Sequence, residues 1–147
     1  MKVKNEKFNY TEWFSADEIN EHSKDWLSQL LFIKDEHQFL LNLIQTFSTK
    51  KISKNQLNQL EDFKNAINEN EIMLHSLISQ VKKHMNQLKI LVDGVNQLEM
   101  EHGYKKTHKE LFMSMNQYML DYRTVKERGF AKLTSIMKIT KPSNNNE

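Results

Sequence analysis

The feature that most constrains this chain is a rhythm. Ile19, Ser23, Trp26, Leu30, Ile33, His37, Leu40, Ile44 and Phe47 step by four and then three residues in strict alternation, the spacing that keeps one face of an α-helix against a neighbour. A strand has a period of two and cannot hold such a series on one side. Long helices follow, and the composition leaves little else open: three Gly and one Pro in 147 residues supply few turns. Only 38% of the residues are hydrophobic, so the apolar surface is expected in narrow stripes.

Helix starts can be read from side-chain oxygens that satisfy the free N–H groups of a first turn. In FSADEI, Ser15 and Glu18 make a capping box, and Phe14 can staple to Ile19. The first helix is expected over 16 to 47. The polar segment STKKISKNQ breaks the pattern, and Ser53 with Gln56 forms a second capping box. From there Leu57, Leu60, Ile67, Leu74, Ile78, Val81, Met85, Leu88, Val92 and Val95 carry the rhythm, with Lys64, Glu71, Glu99 and His102 at polar seam positions. Gly103 suits a helix stop, and Thr107 with Glu110 a third box. A second helix over 54 to 102 and a third from near His108 to Pro142 are therefore expected.

The fold class is all-α, with three long antiparallel helices packed seam to seam. A break in the second helix near Asn68 or Gly94 would give a four-helix bundle instead. One domain spans 1 to 147, with an aromatic arm at 1 to 14 that packs across the bundle and a polar, disordered tail at 142 to 147. A second helix longer than both neighbours leaves two-helix arms at either end. Their bare seam points to an interface of Leu88, Val92, Met115, Tyr118, Met119 and Tyr122. Folding the first helix back across the 48–53 turn sets His37 beside Phe63 and Lys64, Glu71 near Leu30, and His75 near Trp26. On that register His37 is a neutral ring interrupting one layer, and its replacement by Leu is expected to leave stability unchanged or raise it.

Several kinds of chemistry are excluded or weakly supported. Without Cys there is no thiolate, disulfide or thiol nucleophile. Three glycines build no phosphate-cradling loop. The six histidines are spread along the chain, and no His-x-x-x-His motif occurs. Glu71 with His75, and Glu99 with His102, have spacings that could offer metal ligands. A single Glu-x-x-His copy at a helix end reads better as a solvated terminus, and Glu71 with His75 better as a surface pair. No cofactor is expected.

A charge of +2 from 21 basic and 19 acidic residues is too balanced to demand a nucleic acid. The stretch RTVKERGFAKLTSIMKITK is the one basic helix face that could rest on nucleic acid or a membrane surface. No apolar run is long enough to span a bilayer and no signal peptide is evident, so a cytoplasmic location is expected. The function expected from sequence is non-enzymatic: self-association, or binding of a helical protein partner. A metal- or small-ligand-binding bundle using Glu71 and His75, with Glu99 and His102, is the alternative.

Overall fold

The computed structural model describes residues 16–93 and 98–140, and the side chains of 17–91 and 101–138. The arm at 1–14, the tail at 142–147 and the possible break at Gly94 lie outside the described residues. Three helices make up the fold: α1 (Ala16–Ser48), α2 (Lys54–Asp93) and α3 (Leu98–Thr140). They pack α1 on α2 and α2 on α3, without a strand among the described residues.

The start of α2 is fixed as the sequence implies. The Ser53 N–H donates to Gln56 Oε1 at 2.8 Å, and the Gln56 N–H donates to Ser53 Oγ at 3.1 Å. That reciprocal pair satisfies backbone donors that have no partner inside the first turn. All nine positions of the α1 rhythm are buried. Its polar member Ser23 is tolerated because its hydroxyl donates to the Ile19 carbonyl at 3.0 Å.

The boundary between α2 and α3 differs from expectation. The second helix ends at Asp93 rather than at 102, and α3 runs from Leu98 straight through Gly103 and Thr107. Tyr104, His108, Leu111, Met115, Tyr118 and Tyr122 explain this, since they form an unbroken buried series at four-three spacing. Burying Tyr104 and His108 outweighs the roughly 1 kcal/mol that one helical Gly costs.

The phase of α2 also differs. Gln56, Leu60, Phe63, Ile67, Leu74, Leu77, Val81, His84 and Leu88 are its buried line; of the other expected positions Ile78 is buried too, whereas Leu57 and Lys64 are exposed and Glu71 and Met85 half-buried. A helix touching two neighbours buries a stripe wider than two seam positions, and the sequence alone assigned the wrong edge of it.

The chain divides into two compact units, each using segments of all three helices: Met1–Phe32 with Leu74–Gln117, and Ile33–Met73 with Tyr118–Glu147. The bare two-helix arms expected from sequence are therefore not found; each unit has three walls. In the second unit Leu40, Ile44, Phe47, Leu60, Phe63, Ile67, Leu133 and Ile136 form one apolar cluster. Gly129 lets α3 come close here, because a Cβ on it would lie 2.1 Å from the Phe63 ring. In the first unit Ile19, Leu88 and Tyr104 cluster, with Leu91 against them.

Candidate functional site

In the second unit a polar layer crosses the core. His37 is 1% exposed. Its Nδ1 meets the Glu71 carboxylate, and its Nε2 lies 2.9 Å from Asn70 Oδ1. This corrects the expected neighbours Phe63 and Lys64 by one heptad. Side chains on both helices lean toward their own N-termini, each about one position from its Cα level. In an antiparallel pair the two offsets add to about two positions, which accounts for part of this shift away from the turn.

The same Asn70 oxygen accepts from the Tyr118 hydroxyl at 2.6 Å. Tyr122 donates to Glu36 Oε1 at 2.6 Å, and Lys126 Nζ reaches that oxygen at 3.1 Å. The His37 ring stands edge-on to Tyr122 at 5.1 Å. Burial works to raise the Glu36 carboxyl, but Tyr122, Lys126 and His37 outweigh it and hold the group below the usual carboxylate range. Burial, with Glu36 and its neighbours, pushes the Tyr122 hydroxyl up, and burial with Glu71 does the same to Tyr118. These polar atoms are paired with one another, as suits a layer that fixes which residues face each other.

The first unit carries a different cluster. Nδ1 of His22 lies 3.4 Å from Nε2 of His108, and Nδ1 of His108 lies 3.0 Å from Nε2 of His84. Three imidazoles from three helices thus form a row, half-buried at His22 and closed off at His108 and His84. Trp26 stacks on His108 at 4.7 Å, and Tyr104 stacks on His84 at 4.1 Å.

Burial lowers His84 to about 4; burial with the adjacent His84 and His22 rings lowers His108 to about 3. Both rings are therefore neutral at pH 7. Burial also raises Tyr104 to about 12. Among the described residues, His84 Nδ1 and Tyr104 Oη are buried polar side-chain atoms with no hydrogen-bond partner.

The row does not make a metal centre. His108 spends one nitrogen on each neighbour, and among the described residues no three His, Asp or Glu side chains converge as ligands. Of the metal candidates, Glu71 is bound to His37, His75 and His102 are exposed, and the side chain of Glu99 lies outside the described residues. Leu88, Met115, Tyr118 and Tyr122, expected at an interface, are buried within the chain by the third wall that each unit has. Met119 is half-buried, and the side chain of Val92 lies outside the described residues.

Exposed apolar side chains occur in both units, among them Phe32, Ile90 and Met113 in the first and Phe39, Ile72, Leu120 and Phe130 in the second. Phe39 is one turn beyond Glu36, and Phe130 one turn beyond Lys126, so both border the groove bridged by that ion pair. Phe39 is 61%, Phe130 42% and Met137 52% exposed. The basic stretch on α3 is partly neutralised, since Lys126 holds Glu36 and Arg123 lies 3.3 Å from Glu127. Among the described residues no helix is long and apolar enough to cross a membrane.

Comparison with protein-family models, with curated proteins and with solved structures finds no match to this chain.

Proposed function

We propose that the protein acts without catalysing a reaction, by self-association through the groove between α1 and α3 of the second unit. The observation that carries this reading is the exposure of Phe39 and Phe130 on the turns that follow the Glu36–Lys126 bridge, with Met137 two turns farther along α3. Burying a side chain of this size contributes about 1.5–3 kcal/mol, and three in one strip would hold two copies together if the polar rim matches. Charge favours a second copy as the occupant, but the imbalance is small. With Glu36 held by Lys126 and Arg123 by Glu127, Asp35 beside Lys34 remains on the α1 side and Arg128 on the α3 side, with Asp121 two residues before Arg123.

A two-fold axis parallel to the helices sets α1 of one copy on α3 of the other. The remaining acid then faces the remaining base, and Phe39 meets Phe130. Sedimentation equilibrium across a hundredfold concentration range tests the idea. A dimer that dissociates on Phe39→Ser or Phe130→Ser, with helicity unchanged, supports it; a wild-type monomer at the highest concentration overturns it. The unpartnered atoms of the first unit favour a second reading, small-ligand binding, at a place other than Glu71, His75, Glu99 or His102.

A further inference from the structure

The row of imidazoles ends beside a groove. Gln80, Lys83, His84, Gln87, Thr107 and Leu111 line a hollow of about 240 Å³. Gln87 and Thr107 also line an adjoining one of about 360 Å³, which continues past Tyr104 to Ile90, Leu91 and Gly103. One end thus offers an ammonium, two amides and a hydroxyl. The other is apolar, with Ile90 well exposed and nothing within 4 Å of where a Gly103 Cβ would stand. The two residues with unpartnered buried atoms, His84 and Tyr104, each line one half. A buried donor or acceptor left without a partner is unfavourable, and a ligand that pairs it recovers that cost.

Hydrogen-bond logic restricts what the row presents. His84 and His108 are neutral, so each carries one ring hydrogen, and with one hydrogen in each N···N contact all donors point one way. Directed inward, His22 Nδ1–H donates to His108 Nε2, His108 Nδ1–H donates to His84 Nε2, and His84 Nδ1 carries a hydrogen toward an acceptor. Directed outward, His84 Nδ1 is a lone pair and His22 holds the outer N–H. The lining settles which ligand suits it. Lys83 has only donors, and the Tyr104 hydroxyl is a donor with no acceptor of its own, so an acceptor-rich, negatively charged group is complementary to both.

We propose that this groove binds a small organic carboxylate, with one oxygen on Lys83, the other on His84 Nδ1 after a local shift of the lining side chains uncovers that buried atom, and its apolar body toward Ile90 and Leu91. Binding fixes the three imidazoles in the inward order, so occupancy at His84 is read out at His22, on the half-buried end of the row. Within the buried pair no proton is gained: His84 and His108 each keep one hydrogen and change only which nitrogen bears it.

Benzoate is the probe. In protein labelled with ¹⁵N-histidine at pH 7.5, long-range proton–nitrogen spectra distinguish protonated from unprotonated ring nitrogens. Titration should move His84 Nδ1 toward the protonated position and shift His108 and His22 with one shared midpoint. Lys83→Gln, at an exposed position, should weaken binding about tenfold, Lys83→Arg should largely retain it, and His84→Phe should abolish the His22 response. Benzyl alcohol or sodium chloride acting as strongly as benzoate would overturn the proposal. So would the absence of saturable shifts, a His22 ring that stays unmoved while His84 responds, or an unchanged affinity in Lys83→Gln.

Discussion

Nε2 of His84 lies 3.0 Å from Nδ1 of His108, and both rings are closed off from solvent. Two buried imidazoles in contact tolerate no extra proton cheaply, because a charge on either would be desolvated and would lie beside the other ring. The folded-state values of about 4 for His84 and about 3 for His108 lie below the unfolded value near 6.5. The unfolded chain therefore binds protons first as pH falls. This contribution to stability is complete above about pH 6.5 and is lost progressively down to about pH 3.

Urea midpoints should accordingly fall from pH 7 to pH 4. His84→Phe, which keeps the stack on Tyr104, should reduce that dependence and leave the part due to His108. An equal pH slope in wild type and variant would exclude His84 as a source.

His37→Leu reverses direction once the partners are known. Read from the sequence, His37 is an interruption that Leu would repair. In the fold the ring meets Glu71 and Asn70 across the α1–α2 contact, and Leu would leave both without it. The expected cost is about 1–3 kcal/mol by chemical denaturation. A double-mutant cycle with Asn70→Ala should show coupling of about 0.5 kcal/mol or more; a stabilised His37→Leu protein would restore the interruption reading.

These two sites show what the sequence displays and what it hides. The α1 rhythm was fully legible because its nine positions repeat without a competitor. Along α2 two interleaved series share Leu60, Ile67, Leu74, Val81 and Leu88, and differ in whether Leu57, Lys64, Glu71, Ile78 and Met85 or their preceding neighbours complete them. The first set carries more apolar residues than Gln56, Phe63, Asn70, Leu77 and His84, yet the second completes the buried side, Asn70 half-buried among them. Choosing by hydrophobicity thus turned His84 outward and hid the imidazole row. The informative signal was Phe63 against Lys64, the one layer where the second series is plainly the more apolar. Tyr104 was lost for a related reason, since Gly103 reads as a stop when the buried run across it is not followed.

The start of α2 gives a prediction confined to one turn. Ser53 Oγ is the acceptor for the Gln56 N–H, and Gln56 returns the interaction to the Ser53 N–H. Ser53→Ala should cost about 1 kcal/mol and Ser53→Asp much less, because aspartate caps as well and favours the positive end of the helix dipole. Thermal or urea unfolding of the two variants checks this, and equal loss in both would indicate that the cap contributes little.

The glycines of α3 provide opposite expectations from one substitution. At Gly129 an added methyl would stand 2.1 Å from the Phe63 ring. Phe63 is itself buried against Leu60, Ile67 and Leu133, so it has no free space to swing into, and Gly129→Ala should destabilise by about 1–3 kcal/mol through overpacking. At Gly103 a methyl would meet nothing within 4 Å, and the helix runs through the position without interruption. There Gly103→Ala should stabilise by about 0.5–1 kcal/mol, because alanine loses less backbone entropy on entering a helix. Phe63→Leu should partly rescue Gly129→Ala by making room and should do nothing for Gly103→Ala. Urea unfolding of the five proteins measures all of this; a Gly129→Ala chain as stable as the parent would mean that α3 does not approach Phe63 this closely.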